Sequence, residues 1–537
     1  MKKARKLLAL ILALTVALTM GIAATSTVFG EDGYTVTINK DSSDKAAHTY
    51  GAYQLFKGDL ATDNGKTILS NIQWGDNANS ATIITELNKI GFSLAADASA
   101  TAVAKAISDK NYTSNSDQAK ALAEALNKGI TGDPKGTATV AADATSGTIS
   151  GLVAGYYLVK DTAAVTAEGA KTKYILEVVK DVEVTEKASV PTVEKKIAET
   201  TPTNVSDYNI GDSIPYTITG TLPSNFADYV AYKTFTFTDT MSDGLTPPAA
   251  SAVTVKIGNV DITSLFDVAV DGQIMTVSLK SGVDLKTAKY GSGEGTAFAA
   301  GDAIVVSYSA TLNGSAVVGG AGNDNTVDLT FSNNPNSGGD GETGTTPPDK
   351  TVVFTYKIVA DKVENDGGPI SQEAYDQITD ATEKAKYVKV GDMWQKTKPL
   401  AGAGFTLYKE DGTTVVKEIA AGDTVSFEFK GVDAGTYVLK ETTVPTGYNK
   451  VADITIVITP TYDTTQKPPV LTDLTCQPGS FVATASTGTV QGKIINESGS
   501  TLPSTGGIGT TIFYILGALL VIGCGIVLIA RRRLTAK

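Results

Sequence analysis

The chain has 537 residues, 42% hydrophobic and 19% charged, with 53 Gly, two Cys and one His, a length for three or so domains that each bury a core. A single histidine, His48, excludes multi-histidine metal centres and leaves any His-dependent nucleophile resting on one residue, so no metal, cofactor or enzyme activity is expected. Net charge is −12, but eight of the 45 basic residues lie in terminal segments without acids; the intervening chain sets 37 basic against 57 acidic residues, −20, which argues against nucleic-acid binding.

Residues 1–30 read as a secretory signal: a basic Met1–Lys6, an apolar Leu7–Ala24, then small residues, with cleavage between Ala24 and Gly30. The exported body offers only Cys476 outside the membrane, because Cys524 lies in the terminal apolar stretch, so no intrachain disulfide can staple it. Most of the body consists of short runs of Val, Ile, Thr, Tyr and Phe at period two between Gly, Asp, Asn and Pro turns, the pattern of β-sandwiches. Boundaries at Ala188–Pro191 and in the Gly/Pro-rich 334–349 divide it into 31–189, 190–345 and 346–500.

The first domain opens on Tyr34, Val36, Ile38 and Lys40, and its Ala/Leu periodicity predicts small helices over 81–92, 101–109 and 116–128. Val182 and Val184 face inward near its end, so Lys187 has the opposite phase and points outward at the junction, with Lys180 a competitor for the same role.

In the second domain the inward rows are Val193, Lys195, Ile197; Phe235, Phe237, Asp239; and Val327, Leu329, Phe331, Asn333. Lys196, Asn325 and Asn334 lie near enough to compete. Asp-rich turns such as Gly322–Asn325 read as plain turns, since no EF-hand spacing is present. The third domain, with a surface helix predicted over 371–386, repeats the motif. Phe354, Tyr356, Ile358, Ala360 and Lys362 share one face; Tyr437, Leu439 and Glu441 another; Val490, Ile494 and Asn496 a third.

Unpaired buried charges cost several kcal/mol, so three polar groups ending apolar rows should meet. Burial pushes an amine toward its neutral, nucleophilic form and a carboxyl toward its protonated form. Lys362 Nζ could then attack Asn496 Cγ, with Glu441 moving the proton and ammonia leaving, to give an intramolecular isopeptide bond.

Pro399–Tyr408 with its Leu-Ala-Gly-Ala-x-Phe, Gly435–Tyr448 as an E-box, and Ile494-Ile-Asn496 resemble the Cna-B immunoglobulin-like domain. That resemblance implies the same bond among Lys362, Glu441 and Asn496. The second domain resembles the middle domain of backbone pilins, which implies a Lys195–Asn333 bond with Asp239 as the catalytic acid. Gly155–Asp161 imitates an E-box in the first domain, but the strands from Tyr174 to Val184 contain no Asn, so no bond is expected there. The implied fold is a mainly β chain of tandem immunoglobulin-like (Cna-B/Cna-A-like) sandwiches with small helical insertions.

Leu502-Pro503-Ser504-Thr505-Gly506, followed by the apolar Ile512–Ala530 and Arg531-Arg532-Arg533, resembles the LPxTG cell-wall sorting signal of Gram-positive surface proteins. It implies sortase cleavage between Thr505 and Gly506. Lys187 occupies the place of the pilin-motif lysine of sortase-assembled subunits, with Thr185-Glu186 where that motif has Tyr-Pro. The expected protein is therefore a structural pilus subunit on the cell surface, linked from Thr505 of one copy to Lys187 of the next. Its implied partners are pilin-specific and housekeeping sortases, identical subunits, accessory tip and base pilins, peptidoglycan and a host receptor. The alternative is a singly wall-anchored adhesin that binds a host matrix protein or glycan.

Overall fold

The structure, a computed structural model, describes residues 33–499 and 508–534, apart from 42–43, 64–65, 114–115, 163–168, 172–174, 179–180, 187 and 337–341. The expected signal segment, Lys180, Lys187 and residues 502–506 lie outside the described residues.

Alternation of inward apolar and outward polar residues builds three consecutive β units. In the first, Tyr34–Asn39 pairs antiparallel with Ser146–Leu152 and parallel with Val182–Thr185. A second sheet runs Lys66–Trp74, His48–Asp63, Gly155–Asp161, Ile175–Val178. The helices Ser80–Lys89, Ala100–Asp109 and Asp117–Lys128 arise where Ala/Leu spacing predicts them. Asn79, Ser99 and Ser116 each accept a backbone N–H at the helix start, satisfying a donor the helix itself cannot. Ile83, Leu87, Val103, Ile107 and Leu126 pack with Leu55, Phe56, Tyr156 and Leu158 of the sheet. The predicted helix over 371–386 is instead two short ones, Gln372–Asp376 and Ala381–Lys384, because Asp380 caps a new start.

The middle unit is a sandwich. One sheet runs Val205–Asp207, Asp349–Phe354, Asn323–Ser332, Phe235–Met241, Ile274–Leu279, Phe266–Asp271. The other runs Val260–Asp261, Thr254–Ile257, Ala303–Leu312, Ser213–Thr221, Thr192–Ile197. The third unit sets Tyr356–Asn365 and Thr489–Asn496, paired in parallel, against a sheet that contains Gly404–Lys409, Gly435–Thr443 and Ile454–Asp463.

The boundary between these two units lies further along than the Gly/Pro composition suggests. Asp349–Phe354 pairs with Asn323–Ser332, so the middle sandwich continues to Phe354. Period two then lets this one strand serve both cores. Val353 packs into the middle core, while Val352 and Phe354 pack into the third. Polar contacts reinforce the join: Ile210 N donates to Gly431 O at 3.0 Å and Tyr462 OH to Asp207 at 2.8 Å. The last described element, the helix Ile508–Leu534, contains an apolar window, Ile512–Ile529, long enough to span a bilayer.

Candidate functional site

The third unit brings Lys362, Glu441 and Asn496 together in its core, all essentially inaccessible to solvent. Lys362 lies on the unit's first strand and Asn496 on its last, in neighbouring parallel register. Glu441 reaches them from the facing sheet. Lys362 Nζ donates to Asn496 Oδ1 and stands 3.4 Å from Glu441 Oε1. The same Oε1 accepts from Asn496 Nδ2 at 2.9 Å, while Oε2 accepts from Val451 N at 3.0 Å. The carboxylate is therefore fixed from behind and touches both nitrogens in front. Burial pulls the Lys362 amine down to about 8, with the Glu441 charge opposing the shift.

In the middle unit Lys195 and Asp239 are likewise fully buried. Lys195 Nζ donates to Asp239 Oδ1 at 2.6 Å and to Tyr308 OH at 2.7 Å. Tyr308 OH in turn donates to Asp239 Oδ2. Asn325 Nδ2 donates to the same hydroxyl at 2.8 Å, and Asn325 Oδ1 is buried without a partner. Burial lowers the Lys195 pKa against the pull of Asp239, and burial together with Asp239 raises that of Tyr308. The ammonium also lies 5.1 and 5.2 Å from the ring centres of Tyr216 and Tyr308, which are stacked.

Asn333, the expected partner of Lys195, stands elsewhere. Strand pairing sets Asp239 opposite Val327 and Met241 opposite Asn325, whereas Phe331 faces Phe235 at the far end. Eight residues of strand, about 26 Å, separate Asn333 from Asn325 on the same face. Asn333 Nδ2 donates to Gly169 O of the first unit at 3.2 Å, and its backbone O accepts from Lys171 N at 2.7 Å. It serves the junction between units. Lys196 has the outward phase and bonds Asn204 and Glu194.

Asn325, a competitor that the sequence reading places in a turn, belongs to the strand Asn323–Ser332. One residue has no place in that reading. Tyr308 carried a signal: on Ala303–Leu312 it falls in the inward row Ile304, Val306, Tyr308, Ala310, Leu312, and a buried phenol needs a partner.

In the first unit Lys40 Nζ caps the carbonyls of Ala46 and Ala142, and Asp161 bonds His48. Glu186, in phase with Val182 and Val184, is buried; it accepts from Tyr50 OH, and from Asp41 N at 2.8 Å.

The architecture defines a class first: a chain of tandem β-sandwiches, two of whose cores hold lysine–acid–asparagine clusters, ending in an apolar helix long enough to span a bilayer. Comparison with known proteins narrows it. Residues 210–335 match the Gram-positive pilin backbone subunit 2, Cna-B-like domain; 386–468 the SpaA prealbumin-like fold domain; and 495–533 the LPXTG cell wall anchor motif. The trypsin-resistant surface T6 protein of Streptococcus pyogenes serotype M6 is 27% identical over 278 residues, 49% of this chain and 44% of that protein, so the match spans less than half of the relative. The solved T6 backbone pilin of serotype M6 Streptococcus pyogenes, described as a modular three-domain structure, superposes with TM-score 0.51 at 18% identity, covering 88% of this chain and all of that one. The full-length major pilin SpaD of Corynebacterium diphtheriae gives 0.47 at 16% identity over 87% of this chain and 98% of its own. The chain thus carries a Gram-positive pilin backbone domain, a SpaA prealbumin-like fold domain and an LPXTG cell wall anchor motif.

Proposed function

We propose that this chain is the repeating subunit of a covalent pilus shaft whose middle and third units crosslink themselves. The observation that carries the reading is the third cluster. One oxygen of Glu441 lies 3.4 Å from the attacking nitrogen of Lys362 and 2.9 Å from the departing nitrogen of Asn496. Lys362 passes a proton to Glu441 and its lone pair attacks Asn496 Cγ. The attacking nitrogen gives up a second proton as the C–Nδ2 bond breaks, and Glu441 hands both protons to the leaving nitrogen. The lysine ammonium and asparagine amide become a secondary amide and an ammonium ion, with no external oxidant or cofactor. In the middle unit Asp239 takes the lysine proton, Tyr308 relays it and Asn325 supplies the carbonyl carbon.

Both bonds tie an early strand of a unit to a late one, so tension along the shaft would load covalent bonds rather than strand hydrogen bonds. Between subunits, a sortase would cleave after Thr505 and pass its carboxyl to Lys187 of the next copy. The repeated head-to-tail contact gives a filament because it does not close. A housekeeping sortase would finally transfer the fibre to peptidoglycan, with accessory pilins at its ends.

The test is an immunoblot of enzymatically released wall material, boiled in denaturant, for the natural chain and Lys187→Ala. A high-mass ladder that collapses to monomer in the variant is expected. A ladder that survives moves the linkage to another lysine, and absence of a ladder in both strains favours the singly anchored adhesin.

A further inference from the structure

The first unit buries the chain's one histidine in a cluster unlike the other two. His48 and Asp44 are each 2% exposed and Glu186 4%. His48 Nδ1 bonds Asp161 Oδ1 at 3.0 Å, and Nε2 points the other way. Nε2 has no hydrogen-bond partner and stands 3.2 Å from Asp44 Oδ2. With buried carboxylates on both of its sides, the imidazole needs a positive charge at Nε2, carried either by a proton or by a bound cation.

Two ligands bound tetrahedrally at about 2.0–2.1 Å from zinc lie about 3.3 Å apart, and His48 Nε2 and Asp44 Oδ2 are 3.2 Å apart. A carboxylate on the far nitrogen of a ligating histidine is the usual device for orienting it. One ligand atom each from Asp44, His48 and Glu186 can be chosen so that all lie within 4.8 Å of one another. The remaining contacts hold these groups in place. Asp44 accepts from Ala46 N at 2.8 Å and Ala170 N at 3.2 Å, and the Tyr50 ring stacks on the imidazole at 5.6 Å.

We propose that Asp44, His48 and Glu186 form a site for one divalent transition-metal ion, Zn²⁺ by its donor set, with Asp161 as the positioning residue. An imidazole nitrogen with two carboxylates suits zinc and disfavours the all-oxygen shells of calcium or magnesium. The ion staples the loop carrying Asp44 and the segment carrying Glu186 to the strand His48–Asp63. The cation would do for this unit what the amide bonds are proposed to do for the other two. It also revises the expectation, drawn from a lone histidine, that no metal binds.

The experiment uses the full chain in detergent micelles, without a histidine tag, stripped with chelator and titrated with Zn²⁺. One equivalent per chain should be retained, falling to none in Asp44→Asn/His48→Gln. Because the chain has one histidine, ¹⁵N-imidazole spectra report this site alone, on the unsubstituted protein, whatever the variant's folding. Zinc should move the Nε2 resonance while Nδ1 keeps its proton. Two protonated nitrogens unchanged by excess zinc would overturn the proposal and leave an imidazolium between Asp44 and Asp161. Retained zinc with an unmoved Nε2 would overturn it too, by placing the ion elsewhere.

Discussion

The two lysine clusters are built around different acids, and the difference lies in one methylene. Glu441 is long enough for one carboxylate oxygen to touch both Lys362 and Asn496. Asp239, a carbon shorter, is spent on Lys195 and Tyr308, and the Tyr308 hydroxyl covers the remaining gap to Asn325. In the proposed reaction an acid alone would serve one unit, and an acid with a phenol the other. A short acid in such a core therefore signals that a second hydroxyl-bearing residue should be sought on the facing strand.

The largest effect expected from breaking either cluster is loss of the bond. The natural exported chain should lie about 34 Da below its sequence mass, one ammonia per bond, and Glu441→Ala and Asp239→Ala should each halve that deficit, to about 17 Da below the variant's own sequence mass. Lys362 and Asn496 are 134 residues apart, so losing that closure should cost about 5 kcal/mol by loop entropy. Leaving the buried ammonium unpaired adds about 3–5 kcal/mol. Thermal unfolding and trypsin digestion should show the damage confined to the unit mutated. An unchanged mass in both variants would sink the self-crosslinking reading.

The contrast sharpens with Tyr308→Phe. Removing one oxygen keeps the packing against Tyr216 but deletes the relay. Bond formation in the middle unit should slow by about 10²- to 10⁴-fold, the usual contribution of a positioned proton-transfer group, while the third unit is untouched. Mass spectrometry of refolding time points resolves the two bonds. In the same assay Asn325→Ala should abolish the middle bond and Asn333→Ala should spare it, weakening only the junction through Gly169 and Lys171.

How far this was legible in the sequence depends on how local the determinant was. Lys362, Glu441 and Asn496 each end an apolar row in a short, clearly alternating strand, and the rows point at one another. Lys195 and Asp239 were found by the same phase rule. Asn333 was a wrong choice between residues of equal phase: alternation says which face a side chain takes but not how far along the partner strand it lies. That requires the register, here Asp239 opposite Val327. Tyr308 was hidden because an inward tyrosine reads as core until its hydroxyl has neighbours. The shared strand Asp349–Phe354 was hidden because the Gly/Pro-rich segment before it looked like the end of the unit.

A smaller effect concerns pH. Lys362 is held down to about 8 by burial against the Glu441 charge, so below that value each unit of pH should cut the neutral amine about tenfold. In chain refolded from denaturant, the third-unit bond should form faster up to about pH 8 and then level off. The sign for stability agrees: before the bond closes, an unfolded lysine binds a proton up to about 10.4 and the folded one only to about 8, so the open unit gains stability as pH rises across that window. A rate that falls from pH 6 to 8 would mean that a protonated group, not the free amine, limits the reaction.

The smallest expected effect is the control for the phase argument. Lys196 follows Lys195 directly, but its outward side chain pairs with Glu194 at 3.1 Å and with Asn204. Partly exposed pairs of this kind contribute at most about 1 kcal/mol. Lys196→Ala should therefore leave both mass deficits intact and shift unfolding by no more than that, whereas Lys195→Ala should remove the middle bond. Two adjacent lysines with effects this far apart would establish that strand phase, not lysine content or sequence proximity to an asparagine, selects the reactive amine. Equal effects would return the choice between Lys195 and Lys196 to the ambiguity the sequence leaves.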